Sequence, residues 1–108
     1  MDLQEYRVIL APEVDEKLDE IYDYLSENFS EQVAQKKIEK ILTALDSLCI
    51  FPERGFDADV KCGKKIEPPH QTRGITIKPD YIALYRIEGN VVRVGHLFHT
   101  RSDYMKLF

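Results

Sequence analysis

No apolar run in this chain approaches the roughly 18 residues that a bilayer-spanning helix requires, so a helical membrane span is excluded. The opening residues Met1-Asp2-Leu3-Gln4-Glu5 are acidic and lack the apolar centre of a secretion signal. The expected compartment is therefore the cytoplasm. Cysteine is scarce. Cys49 and Cys62 are the only two, and they form neither a CxxC pair nor a zinc-ligand pattern. A disulfide between them is not expected in a reducing compartment. Cys49 ends an apolar helical stripe and reads as a small core residue, whereas Cys62 falls in a polar stretch expected to be exposed. No metal and no cofactor is expected. Internal repeats and low-complexity segments are also absent.

What is present suits one domain. The chain has 108 residues, 44% of them hydrophobic and 31% charged, the balance of an ordinary globule. A chain of this size should bury roughly 65% of its unfolded surface, enough for one core without staples. The net charge of −4 argues at first against a polyanionic partner. Its distribution is uneven, however. Residues 1–59 hold 15 acidic against 6 basic side chains, and residues 60–108 hold 4 against 9. Salt screens charges over about 8–10 Å, so a local basic patch still attracts anions on an acidic protein.

Tyr6-Arg7-Val8-Ile9-Leu10 reads as a first strand. Ala11-Pro12 ends it, and proline at the first helical position starts a helix at no cost in hydrogen bonds. Val14, Leu18, Ile21, Tyr22 and Leu25 fall on one face of that helix. Asn28 is placed as a left-handed C-terminal residue and Ser30 as the N-cap of a second helix. The second helix carries Val33, Ala34, Ile38, Ile41, Leu42, Leu45, Leu48 and Cys49 on its apolar face and stops before Pro52. The short connection makes an antiparallel helical hairpin.

Pro52 to Lys65 reads as loop, and Ile66-Glu67-Pro68-Pro69-His70 as extended chain whose prolines bar a central strand. Gln71–Lys78, Tyr81–Ile87 and Val91–His99 read as three further strands, with Pro79-Asp80 and Glu88-Gly89-Asn90 as turns. Ser102 would cap a short last helix. The expected fold is α+β: an N-terminal strand and a two-helix hairpin packed on one face of a small, mostly antiparallel, four-stranded sheet. In the last strand Val92, Val94 and Phe98 share one parity and are assigned to the helix side. Arg93, Leu97 and His99 would then lie on an open, basic face.

The end of the last strand gathers His99, Arg101, Asp103 and Tyr104, where scaffolds often present chemistry. The bland alternative is a polar exit from the sheet. With Tyr6-Arg7-Val8 before Ala11-Pro12-Glu13, Leu18-Asp19-Glu20-Ile21-Tyr22-Asp23-Tyr24, Leu48 before Phe51-Pro52, Arg73, Tyr81…Tyr85-Arg86-Ile87 and Val94…His99-Thr100-Arg101-Ser102-Asp103, the chain resembles the RelE/ParE superfamily of bacterial type II toxins.

The resemblance implies a single toxin domain over residues 1–108, neutralised by a cognate antitoxin, possible in higher-order complexes, and either acting on one of two targets or persisting as an inactive copy that still binds an antitoxin. A RelE-like toxin cleaves mRNA in the ribosome. A ParE-like toxin inhibits DNA gyrase without known catalytic residues. For RNA cleavage, Arg73 and Arg101 would grip phosphate, His99 would serve as base or acid, and Tyr104 would donate a proton or stack on a base. Lys61, Lys64, Lys65, Arg93 and Lys106 are candidate contacts to nucleic acid or to another target, with solvated loops the plain alternative for the lysines. His70 is an outside candidate, and His96 reads as a hydrogen-bonded sheet histidine. RelE-like enzymes carry an arginine three residues before the strand tyrosine, and counting back from Tyr85 that position is Ile82. This departure and the His-x-Arg-x-Asp ending lean toward the ParE-like side.

Overall fold

The computed structural model describes residues 5–101. The elements are β1 (Arg7–Leu10), α1 (Pro12–Asn28), α2 (Glu31–Asp46), β2 (Phe56–Asp57), α3 (Ala58–Cys62), β3 (Arg73–Ile77), β4 (Tyr81–Glu88) and β5 (Val91–His99). One-turn 3₁₀ segments at Ser47–Cys49 and Pro52–Arg54 link α2 to β2. The class is that expected, with β2 and α3 added to the expected order. The sheet has five strands rather than four, in the order β1-β5-β4-β3-β2. Only β1 runs parallel to its neighbour, β5.

The extra strand comes from the stretch read as loop. Phe56 pairs with Gly74 and Asp57 with Arg73. Asp57 then caps α3, its carboxylate accepting from the Val60 amide at 3.1 Å. Gly63 follows at φ +80, the left-handed closure that glycine permits. Two residues of strand and five of helix fall below what periodicity can register.

The hairpin forms for the reasons its sequence suggests. Ser30 caps α2, its hydroxyl accepting from the Val33 amide at 3.1 Å. Asn28 is different: it stays helical, its side chain donating to the Tyr24 carbonyl, and α1 closes at Phe29 with φ −131. Val14, Leu18 and Ile21 of α1 pack with Ile41, Leu45 and Leu48 onto Ile75, Ile77, Tyr81, Ala83, Tyr85, Val92, Val94 and Leu97. Val33 and Leu42, expected on the apolar face of α2, are exposed, because the stripe that meets the sheet runs through Ala34, Ile41 and Leu45.

One residue overturns the face assignment. Leu84 pairs with His96 but Tyr85 pairs with Val94, so Gly95 is an extra residue in β5. Beyond this bulge the parity flips. Leu97 enters the helix-side core, and Phe98 joins Ala58, Ile82, Leu84, Phe56 and Ile66 on the opposite side. That opposite side is neither open nor simply basic. An apolar satellite cluster under α3 covers part of it, and His99 is on the helix side.

Candidate functional site

Arg73 heads β3 on the helix side of the sheet, sharing its face with Ile75 and Ile77. Its guanidinium donates to the main-chain carbonyls of Glu53 at 3.2 Å and Gly55 at 3.4 Å. Beside it in the sheet register stands Tyr85. The buried Tyr85 phenol donates to the Pro52 carbonyl at 2.6 Å and accepts from the Gly55 amide at 3.2 Å. Burial raises the Tyr85 pKa, partly offset by the Gly55 amide and the Arg73 and Arg54 charges. Arg73 and Tyr85 therefore clamp the turn between the helical hairpin and β2.

His99 lies at the other end. Its row is Ile77–Tyr81–His99, whereas the row of Arg73 is Arg73–Tyr85–Val94. Four residues of strand separate the rows, roughly 13 Å, with two inter-strand steps besides. His99 meets the Tyr81 ring edge-on at 5.3 Å between centroids, and its Nδ1 accepts from the Arg101 amide at 3.1 Å. His99, Arg101, Tyr81, Tyr24, Leu25 and Phe29 line a cleft of about 620 Å³ between α1 and the sheet end. Near its rim, Lys37 binds Asp80 at 3.1 Å, and burial together with Asp80 raises the Tyr81 pKa. The structure thus brings His99 and Arg101 together and leaves Arg73 away from both. Tyr104 and Lys106 lie outside the described residues.

The remaining cations are mostly engaged. Arg86 and Arg93 stand opposite each other across β4 and β5, a like-charge pair that would destabilise a bare sheet. Glu88 bridges them: Arg86 Nε donates at 3.0 Å to one of its oxygens, and Arg93 Nε donates to the other. Glu67 accepts from Arg86 Nη1 at 2.6 Å, which raises the Arg86 pKa. The hydrogen bond from Arg93 and the nearby Arg86 lower the Glu88 pKa. His70 Nε2 lies 3.1 Å from Glu88, and His96 Nδ1 meets Glu13, the sheet-histidine role expected for His96. Of these groups Glu13, Glu67, Arg86, Arg93 and His96 line a second cleft of about 440 Å³, together with Ile9, Leu84, Val94 and Gly95.

Lys61 sits over the Phe56 ring at 4.8 Å, and Lys65 Nζ is 3.9 Å from Asp59. Lys64 is exposed. Sequence reasoning passed over Asp59. Its buried carboxylate accepts from the Ile66 amide at 3.0 Å and the Thr72 amide at 3.1 Å, organising the crossing from α3 to β3. An acid amid lysines looks like surface; nothing in its spacing announces a buried acceptor.

The molecule is thus an α+β domain with a helical hairpin on one sheet face and several of its described charged groups arranged in pairs. Residues 8–104 match the family model described as the ParE toxin of the type II toxin-antitoxin system, parDE, and the chain belongs to that family. A solved structure titled as the chromosomal ParDE toxin-antitoxin system from P. aeruginosa is similar in fold. It is 16% identical, covers 89% of this chain and 97% of that one, and has a TM-score of 0.71. No curated protein matches the chain by sequence. Among the described residues no helix is long and apolar enough to cross a membrane.

Proposed function

We propose that this type II toxin, held in check by a cognate antitoxin, acts in the cytoplasm by docking on DNA gyrase and blocking it, without catalysing a reaction. The observation that carries this reading is the separation of Arg73 from His99. Metal-free RNA cleavage needs a base, an acid and a phosphate-holding cation around one phosphodiester. Here Arg73 is spent on two backbone carbonyls at one end of the sheet, and His99 stands at the other. Ile82, where a RelE-like enzyme has arginine, is buried in the apolar satellite cluster with Leu84 and Phe98, which further favours docking over cutting.

The test is direct. Purified chain added to gyrase and relaxed plasmid should suppress supercoiling, and added to a translating extract should leave mRNA intact. Cut mRNA that becomes intact when His99→Ala replaces the native chain would replace this reading with the nuclease one. In the docking mode His99→Ala should leave gyrase inhibition unchanged.

A further inference from the structure

The two helices of the hairpin differ in charge. α1 carries seven acidic residues against one base, Lys17, and all seven acids are exposed. α2 balances three acids with three lysines. An acidic helix face is by itself only a solvated surface. Here α1 also forms one wall of the cleft of about 620 Å³ at the sheet end. Tyr24 and Phe29 line that cleft at 61% and 66% exposure, too open to serve as core. Along the helix Tyr24 has Glu20 four positions before it and Glu27 three after, the spacing at which side chains are neighbours. Aromatic rings beside carboxylates suit a cation. The cleft already shows this chemistry once. Lys37 Nζ lies 3.1 Å from the Asp80 carboxylate and 5.8 Å from the centre of the Tyr81 ring, and both Asp80 and Tyr81 line the cleft.

We propose that this cleft is the docking site for an arginine-bearing segment of a protein partner. Apolar side chains of the segment rest on Ile21 and Leu25, and a guanidinium stacks on Tyr24 between Glu20 and Glu27. The inference goes beyond the gyrase reading and does not depend on it. Arginine is favoured over lysine because its planar head stacks on a ring and still reaches carboxylates. Lys17 and Arg101 also line the cleft, but they only balance Glu20 and Asp80, and Lys17 is 3.6 Å from Glu20. The other α1 acids therefore set the local potential. Glu16, Asp23 and Glu27 stand within about one helical turn of Glu20 or Tyr24, inside the roughly 8 Å over which charge is felt at physiological salt. A nucleic-acid strand could stack on the same rings, but this potential repels its phosphates.

The test is fluorescence anisotropy of a labelled short peptide alternating arginine and leucine, titrated with the whole chain at about 0.15 M salt. The native chain should bind it and should ignore the same peptide with glutamate in place of arginine. Tyr24→Ala and Glu20→Gln should each weaken binding about tenfold. Tyr24→Phe, which keeps the ring, should bind as the native chain does. Glu39→Gln, which removes an exposed acid of α2 outside the cleft, should change nothing. All variants should keep the native melting temperature, since each replaced side chain is exposed. A native chain that does not bind the peptide overturns the inference. So does undiminished binding by Tyr24→Ala. An equal loss in Glu39→Gln overturns it too, because the attraction would then be diffuse charge. Tighter binding of a labelled oligothymidine than of the arginine peptide would hand the cleft to nucleic acid and overturn it as well. None of these outcomes alters the supercoiling assay, so the two readings fail separately.

Discussion

Tyr85, rooted in the middle of β4, hydrogen-bonds through its phenol to the Pro52 carbonyl, 33 positions earlier in the chain, at 2.6 Å. One side chain thereby ties the sheet to the exit of the helical hairpin, and the same oxygen accepts from Gly55. Tyr85→Phe keeps the ring in the core and removes only this tie. The expected cost is about 1–2 kcal/mol, since two backbone groups lose a partner. Urea denaturation monitored by circular dichroism measures it, and an unchanged midpoint would refute the tie.

Thr72 offers the opposite sign. Its hydroxyl is buried and has no hydrogen-bond partner among the described residues, at 3% residue exposure. Burying an unpaired polar group is unfavourable. Thr72→Val should therefore stabilise the fold by about 1 kcal/mol. A lower denaturation midpoint would show that the hydroxyl is satisfied in solution.

Asp59 should be among the least replaceable acids. Two amides, of Ile66 and Thr72, depend on its carboxylate in a buried setting. Asp59→Ala should cost about 3 kcal/mol and free the α3–β3 crossing. Limited proteolysis should then cut between residues 60 and 72, where the native chain resists.

Acid should loosen the arginine bridge on the face away from the helical hairpin. The hydrogen bond from Arg93 holds the Glu88 pKa below its ordinary 4.5, and the Val60 amide does the same for Asp57 below 3.8. A lowered folded pKa means that the unfolded chain takes up protons first. The stabilisation is thus complete above the ordinary values and is lost as pH falls through the lower folded ones. Melting temperature should drop with acidification below about pH 4.5, and Glu88→Gln should flatten part of that slope. An identical slope in the variant would remove Glu88 from the account.

How much was legible depended on the length scale of the signal. A helical period sustained from Val14 to Leu25 marked α1, and Val91–His99 matched β5 to the residue, because long patterned elements repeat their evidence. The Phe56–Asp57 strand and the Ala58–Cys62 helix repeat nothing and went unseen. The face of His99 was misjudged for a sharper reason. A bulge at one glycine inverts every later side chain, and glycine in a strand signals a bulge only weakly.

The sequence by itself determined the class of the fold, the helical hairpin, the four longer strands and the family, since each is written in local pattern and in motifs that keep their order. Only the tertiary structure decided which cations share a location. Arg73 and His99 are 26 residues apart in sequence and sit on one face, yet two successive hairpins make β3 and β5 run the same way, so the start of one and the end of the other lie at opposite ends. Proximity across a sheet follows from register, and register is set by the packing of the whole core rather than by any stretch that can be read alone.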